Sequence, residues 1–383
     1  MIIMRLKRFC LILLFLLVFS NQFIQAQQYN PFYSHFGEFK TDAENNLFFR
    51  VENLNFIKNN EYSGEFAKGE TYIGYLATPK LVYYPSSDFR IEAGIRLQKY
   101  SGLSGYSESE PVFTIHYQTN DRLSFNLGSL NQEDNHHLHE ALFEPERYFT
   151  DKAENGLQIL YKSPFLKAET WINWEKFIFQ NDPFNEVFSF GFVADLLLSN
   201  PESDYSLSIP MQILFTHRGG EIDASNKNKQ TVRNLVAGFS FEKTIHNSRF
   251  KNYGFEILHL QFRDNSSVKE FVFGEGSAFH FRLGGSTQHS DIKLGYWRGH
   301  KFNSARGSAL FQSMSIVDNS YVKARREMFT GKYRIQKSIA KGILLGGQVD
   351  AYLDMNASHD FSYATSVFVR INGEFFLKKL KWN

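Results

Sequence analysis

Leu81–Tyr100 reads LVYYPSSDFRIEAGIRLQKY, and its pattern governs the rest of the chain. From Phe89 the alternate residues are Phe89, Ile91, Ala93, Ile95 and Leu97, and those between them are Arg90, Glu92, Gly94, Arg96 and Gln98. A period of two places the first set on one face of a β-strand and the second on the other. Pro85-Ser86-Ser87-Asp88 supplies a tight turn before it. The alternation returns along almost the whole chain, while almost nothing reads as a helix able to cover an apolar sheet face. The apolar face is therefore expected to meet lipid, and the charged face to line a lumen.

Composition agrees. The chain has 383 residues, including 40 Phe and 19 Tyr, yet its mean hydropathy is only -0.35. A helical membrane protein needs runs of about 20 apolar residues, whereas a barrel needs only alternate ones. The one long apolar run, Phe9–Phe19, follows Arg5, Lys7 and Arg8 and precedes Gln25-Ala26-Gln27. A basic start, a short apolar run and a small residue before the cut make residues 1–26 a secretory signal peptide. The sole cysteine, Cys10, lies inside it, so the mature chain has no disulfide, thiol catalyst or thiolate metal site. Cleavage lowers Lys+Arg from 42 to 39 against 40 acidic residues. Such a near-neutral chain offers nucleic acid no basic surface.

Residues 27–46 read as a periplasmic segment leading into a barrel over 47–383. About 16 strands (roughly 14 to 18) fit the alternation, each long enough to cross a bilayer when tilted. Pro79 falls within one of them, where a bulge or irregular pairing is expected to absorb it. The connections also alternate in length. Residues 85–88, 119–121, 162–165, 200–204, 246–251, 286–290 and 340–341 are short. Between them fall 58–70, 101–110, 131–155, 217–230, 264–275 and 300–327, with two shorter ones at 180–185 and 356–360. Short turns on one rim and long loops on the other describe an all-β, antiparallel up-and-down transmembrane β-barrel in a Gram-negative outer membrane. The sheet must close, because no water in the bilayer satisfies an open edge. At this strand number it leaves an aqueous channel unless loops fill it.

Across Leu142–Phe188 the sequence LFEPERYFTDKAENGLQILYKSPFLKAETWINWEKFIFQNDPFNEVF carries an E-P-E-R run, then E-N-G-L-Q, W-I-N-W-E and D-P-F. This block resembles the porin-like outer-membrane barrels of Bacteroidetes, which implies a barrel of that type over residues 47–383. It brings no assigned substrate. The carboxyl end departs from the usual terminal aromatic: Trp382 is penultimate, before Asn383.

The loop 131–155 is the most unusual segment. His136, His137 and His139 with Glu140, Glu144 and Glu146 are suitable metal donors, but their spacing matches no strict site. A polar, histidine-rich loop without metal or cofactor is the expectation. A loop this long is also expected to fold into the lumen, setting Glu140, Glu144 and Glu146, beside Arg147, against the wall residues Arg90, Arg96, Arg122, Arg282 and Arg370. With Glu92 also lining the pore, these would give a transverse field at a constriction. His217-Arg218-Gly219-Gly220 and Gly274-Glu275-Gly276 lead into no helix and read as loop glycines. Arg325-Arg326 reads as a rim contact with lipopolysaccharide or solvent.

The leading functional expectation is passive diffusion of small hydrophilic solutes through a monomeric or homo-oligomeric channel, with outer-membrane lipid and lipopolysaccharide around it and no enzymatic step. Two other classes stay open: a barrel that scaffolds a surface or secretion partner, and a barrel-type hydrolase. No G-x-S-x-G elbow is present, and a dyad on strand faces cannot be aligned from sequence. An energised receptor is disfavoured because the region before Leu47 is too short for a plug domain.

Overall fold

The computed structural model describes residues 37–356 and 360–380; the expected signal peptide, residues 27–36 and Trp382 lie outside the described residues. The wall begins with β1 (Asn46–Glu61), β2 (Thr71–Ser86), β3 (Phe89–Tyr100), β4 (Glu108–Asn120), β5 (Leu123–Ser129), β6 (Asn155–Lys162), β7 (Leu166–Lys176) and β8 (Val187–Leu197). It continues with β9 (Tyr205–Arg218), β10 (Gln230–Thr244), β11 (Phe250–Asp264), β12 (Glu275–Thr287), β13 (Ser290–His300), β14 (Arg325–Ala340), β15 (Ile343–Asp354) and β16 (Phe361–Lys379). Each strand pairs with the next, and β16 returns to β1 from Asn46↔Lys379 to Glu61↔Tyr363, closing a 16-strand antiparallel barrel.

The period-two reading places the side chains correctly. Arg90, Glu92 and Arg96 of β3 are buried inside, whereas Ile95, and Phe113, Leu127, Leu294 and Val367 of other strands, are exposed outside. The outer face thus offers hydrocarbon an apolar band, and this is an integral outer-membrane protein with its short turns at the periplasmic rim. Pro79 causes no register shift. β2 and β3 keep one register on either side of it, skipping only Thr78 and Pro79. Gly94 makes this feasible, since a Cβ there would lie 2.3 Å from the Pro79 carbonyl oxygen.

Two external loops turn back into the barrel. Residues 130–154 contain the left-handed turn Asp134–His137, with φ of 47°, 50°, 56° and 57°, and the one-turn helix α1 (Arg147–Thr150). Residues 301–324 contain a 3-10 turn, Ala309–Phe311. Leu142 and Phe143 of the first loop and Phe302, Leu310 and Phe311 of the second pack on the wall residues Leu258, Leu260, Trp297, Met328 and Tyr352. On the opposite side Phe149 of α1 packs on Leu54, Phe56, Leu76 and Phe368. The loops also join each other: Glu144 N–H donates to Arg306 O (2.7 Å) and Ser308 N–H to Glu140 O (2.9 Å). Together they form a two-part plug inside the lumen.

Candidate functional site

Beneath the plug, two cavities of about 910 and 550 Å³ occupy the periplasmic half of the lumen. Their walls are the polar faces of the strands, so the arrangement of charge there follows directly from the alternation. Arg90 pairs with Glu92 (2.9 Å), which also receives Arg50 and Lys80 (2.8 Å each). Arg90 further donates to Gly37 O (3.0 Å), and Phe39 stacks on His116, holding the segment before β1 across the periplasmic mouth. Arg370 lines the smaller cavity and Arg122 the larger, while Arg282 pairs with Glu256 at 2.7 Å.

The loop does enter the lumen, but its acids meet different partners from those anticipated. Glu146 pairs with Lys58 (2.8 Å), and Glu140 with Lys332 (2.5 Å) and the Tyr352 hydroxyl (3.2 Å). Arg96 instead donates to the carbonyl oxygens of Tyr148 (3.0 Å) and Asp151 (3.1 Å), and Arg147 turns to Asp151 and Arg306 O. The two answering lysines are thus a correction to the proposed facing of loop acids and wall arginines. A lysine ammonium reaches between crowded carboxylates as a point charge, whereas the guanidinium fork suits paired carbonyls. Burial and the adjacent Glu146 carboxylate push Glu144 well above the ordinary carboxyl range. Burial opposes ionisation of Glu146 too, but Lys58 and the Glu144 proton hold it down to about 2. Arg326 is a second correction. It points inward, bonds Asp354 (2.9 Å) and the carbonyls of Gln312 (2.6 Å) and Leu310 (3.1 Å), and lies 3.4 Å over the Phe66 ring. It ties the second loop to the wall and has no place at the rim.

The three histidines of the first loop are drawn apart. His136 stacks on Trp171 at 4.0 Å and bonds Glu154 (2.7 Å) and Glu169, while His137 faces Asp134. These contacts offset a left-handed turn that costs about 1–2 kcal/mol per non-glycine residue. His139 Nδ1 accepts from Ala141 N–H (3.0 Å), so its proton sits on Nε2 and is donated to His280 Nδ1 (2.8 Å). His280 Nε2–H then faces Thr330 Oγ1 at 3.4 Å. Lys58, Lys332, Trp171 and this directional chain escaped sequence reading, because each partner lies on a different strand from the loop.

A pH dependence follows. Burial disfavours the His136 imidazolium, but Glu154 and Glu169 hold its pKa up to about 10 from 6.5. A pKa raised in the folded state gives stabilisation that is complete below 6.5, declines above it and is gone beyond about 10. Protease cleavage within residues 130–154 is expected to accelerate as pH rises from 7 to 10. His136→Gln should cleave faster at pH 7 and lose most of that dependence; a wild-type rate flat with pH would refute the assignment.

Comparison with known proteins adds the following. The model of the Lipid A 3'-O-deacylase-type family matches residues 39–380. No curated protein matches. Among solved structures, OccAB4 of Acinetobacter baumannii is similar at 11% identity and a TM-score of 0.45, over 88% of this chain and 100% of that one. The outer membrane protein OprD of Pseudomonas aeruginosa is similar at 9% identity and 0.48, over 92% and 98%. A BenF-like porin of Pseudomonas fluorescens is similar at 9% and 0.47, over 88% and 100%. The family match overturns the expectation of a protein without enzymatic activity, since the family is named for an acyl-ester hydrolysis.

Proposed function

We propose, for a chain that belongs to the Lipid A 3'-O-deacylase-type family, that this outer-membrane barrel hydrolyses an ester-linked acyl chain on a lipid A-class glycolipid. The observation carrying this reading is the extent of the family likeness, residues 39–380, which takes in wall and plug together rather than one motif. The plugged lumen supports it as well, because a lipid hydrolase has no need of a through-pore and an open porin does. Purified folded barrel mixed with lipid A should release free fatty acid, leaving a product lighter by one acyl chain in mass spectrometry. Lipid A unchanged in both micelles and vesicles would sink the proposal.

Passive diffusion of small hydrophilic solutes is the second reading, favoured by the two cavities beneath the plug and the charged side chains that line them. Its constriction would be lined by Arg90, Glu92, Arg96, Arg122, Arg282, Arg370 and the loop residues Glu140, Glu144, Glu146 and Arg147. It requires the plug to move, and discrete current steps from the unmodified barrel would support it.

A further inference from the structure

At their external ends, four neighbouring strands carry a row of side chains that neither plug nor cavities use. Trp174 of β7 pairs with Phe188 of β8, Phe188 with His217 of β9, and His217 with Thr231 of β10. Their chain neighbours Asn173, Ser189, Thr216 and Val232 are buried on the lumen side, so alternation puts this row on the lipid-facing side. Trp174 stacks on Phe188 with ring centroids 5.3 Å apart, and Phe188 lies 5.1 Å from His217. His217 Nδ1 is 2.8 Å from Thr231 Oγ1. Gly219 N–H, two residues beyond His217, donates to the Glu186 carbonyl oxygen (3.0 Å), which ties the end of β9 to the start of β8. A hydroxyl in hydrogen-bond contact with an imidazole is the arrangement of an activated nucleophile and its base.

One step deeper, Arg233 of β10 lies directly opposite Arg263 of β11. Their inward neighbours Asn234 and Phe262 are buried, so both guanidinium groups belong to the outer face. Glu275 is the register partner of Arg263 on β12, yet neither arginine has an ion pair or side-chain hydrogen bond among the described residues. Like charges directly opposite each other weaken a sheet, and cations on a lipid-facing wall are unfavourable unless answered. An anion at this place would answer both charges.

We propose that the lipid-facing external ends of β8–β11 bind a phosphate-bearing acylated glycolipid, Arg233 and Arg263 holding its phosphate while Thr231 and His217 cleave one of its esters. The catalytic half rests on the deacylase reading; the phosphate-binding half stands without it. Thr231 and Arg233 are two residues apart on one face, about 7 Å along a strand, which suits a headgroup contact beside a reacting acyl ester. Thr231 Oγ1 attacks the ester carbonyl carbon as its proton passes to His217 Nδ1. The tetrahedral adduct collapses with cleavage of the bond to the sugar oxygen, which takes that proton and leaves as a hydroxyl. Water then attacks the acyl-Thr231 ester, its proton moving through His217 back to Thr231 Oγ1, and a fatty acid departs. One water is consumed per chain released.

The test uses the full-length mature barrel refolded into micelles, with fatty-acid release read by mass spectrometry and folding checked by heat-modifiable gel migration. Thr231→Val and His217→Asn should each lower kcat by about 100-fold or more with little change in KM. Thr231→Ser should retain turnover, and an acyl adduct should appear on the peptide containing Thr231. Arg233→Gln/Arg263→Gln should raise KM about ten-fold, within the range for charged hydrogen bonds, and remove the preference for the phosphorylated over the dephosphorylated glycolipid. Wild-type release with undiminished release by folded Thr231→Val would overturn the catalytic assignment and leave the deacylase reading standing. No release by wild type would overturn both. Equal equilibrium binding of the phosphorylated lipid by wild type and the double-arginine variant would overturn the phosphate site.

Discussion

Replacing residues 133–152 with a short glycine-serine link is expected to turn a barrel carrying no resolved current into one with discrete conducting steps in a planar bilayer. The wall should survive the excision, because its strands are held by hydrogen bonds to one another and Ser129 already pairs with Asn155 across the gap. What leaves is the packing of Leu142, Phe143 and Phe149 against two sides of the lumen. The second loop loses its backbone partners at Glu140 and Glu144. A barrel of this strand number encloses an aqueous path once nothing fills it. The excised stretch contains six acids and two residues of the Lys and Arg class, so the opened lumen should prefer anions, with Lys58 and Lys332 newly exposed. A silent bilayer from correctly folded variant would mean that residues 301–324 close the lumen alone.

Lys58→Met should destabilise the folded barrel by about 3–5 kcal/mol, the usual cost of removing one member of a buried ion pair. Lys58 sits 2.8 Å from Glu146 and 4.0 Å from Asp350, and both its own side chain and those of its partners are more than nine-tenths buried. Its loss leaves the Glu146 carboxylate without its buried cation, held by the Asn60 amide (3.1 Å) and by Glu144. Removing the charge on both sides, in Lys58→Met/Glu146→Gln, should recover most of the loss. Glu144→Gln is the informative contrast. Burial and Glu146 keep that carboxyl protonated, so an amide replaces one neutral donor with another, and the change should stay within about 1 kcal/mol. Urea unfolding in vesicles measures all three, and a Lys58→Met loss below that of Glu144→Gln would remove the ion pair from the account.

The barrel was legible because lipid and water impose opposite demands on successive residues of one strand. Phe89 to Gln98 already states which side chains face out, and the strand count and rim assignment follow from repeating that reading along the chain. Loop length also raised the hypothesis that residues 131–155 enter the lumen. Its contacts stayed hidden for a different reason. Glu146 and Lys58 are separated by 88 positions in the chain, and His139 meets His280 on the far wall, so no local pattern records either pairing. His217-Arg218-Gly219-Gly220 is the clearest loss, because it reads as the start of a loop. Only the register of β9 against β8 and β10 reveals His217 as an outward residue bonded to Thr231.

The sequence alone determined that this chain is a closed outer-membrane barrel with a polar interior, since the period of side-chain polarity fixes which face each residue takes. The tertiary structure decided that two loops plug that interior, which charges neutralise one another there, and which outward residues meet across strands. Those outcomes depend on register and loop path, and both are settled only when distant strands close into one sheet.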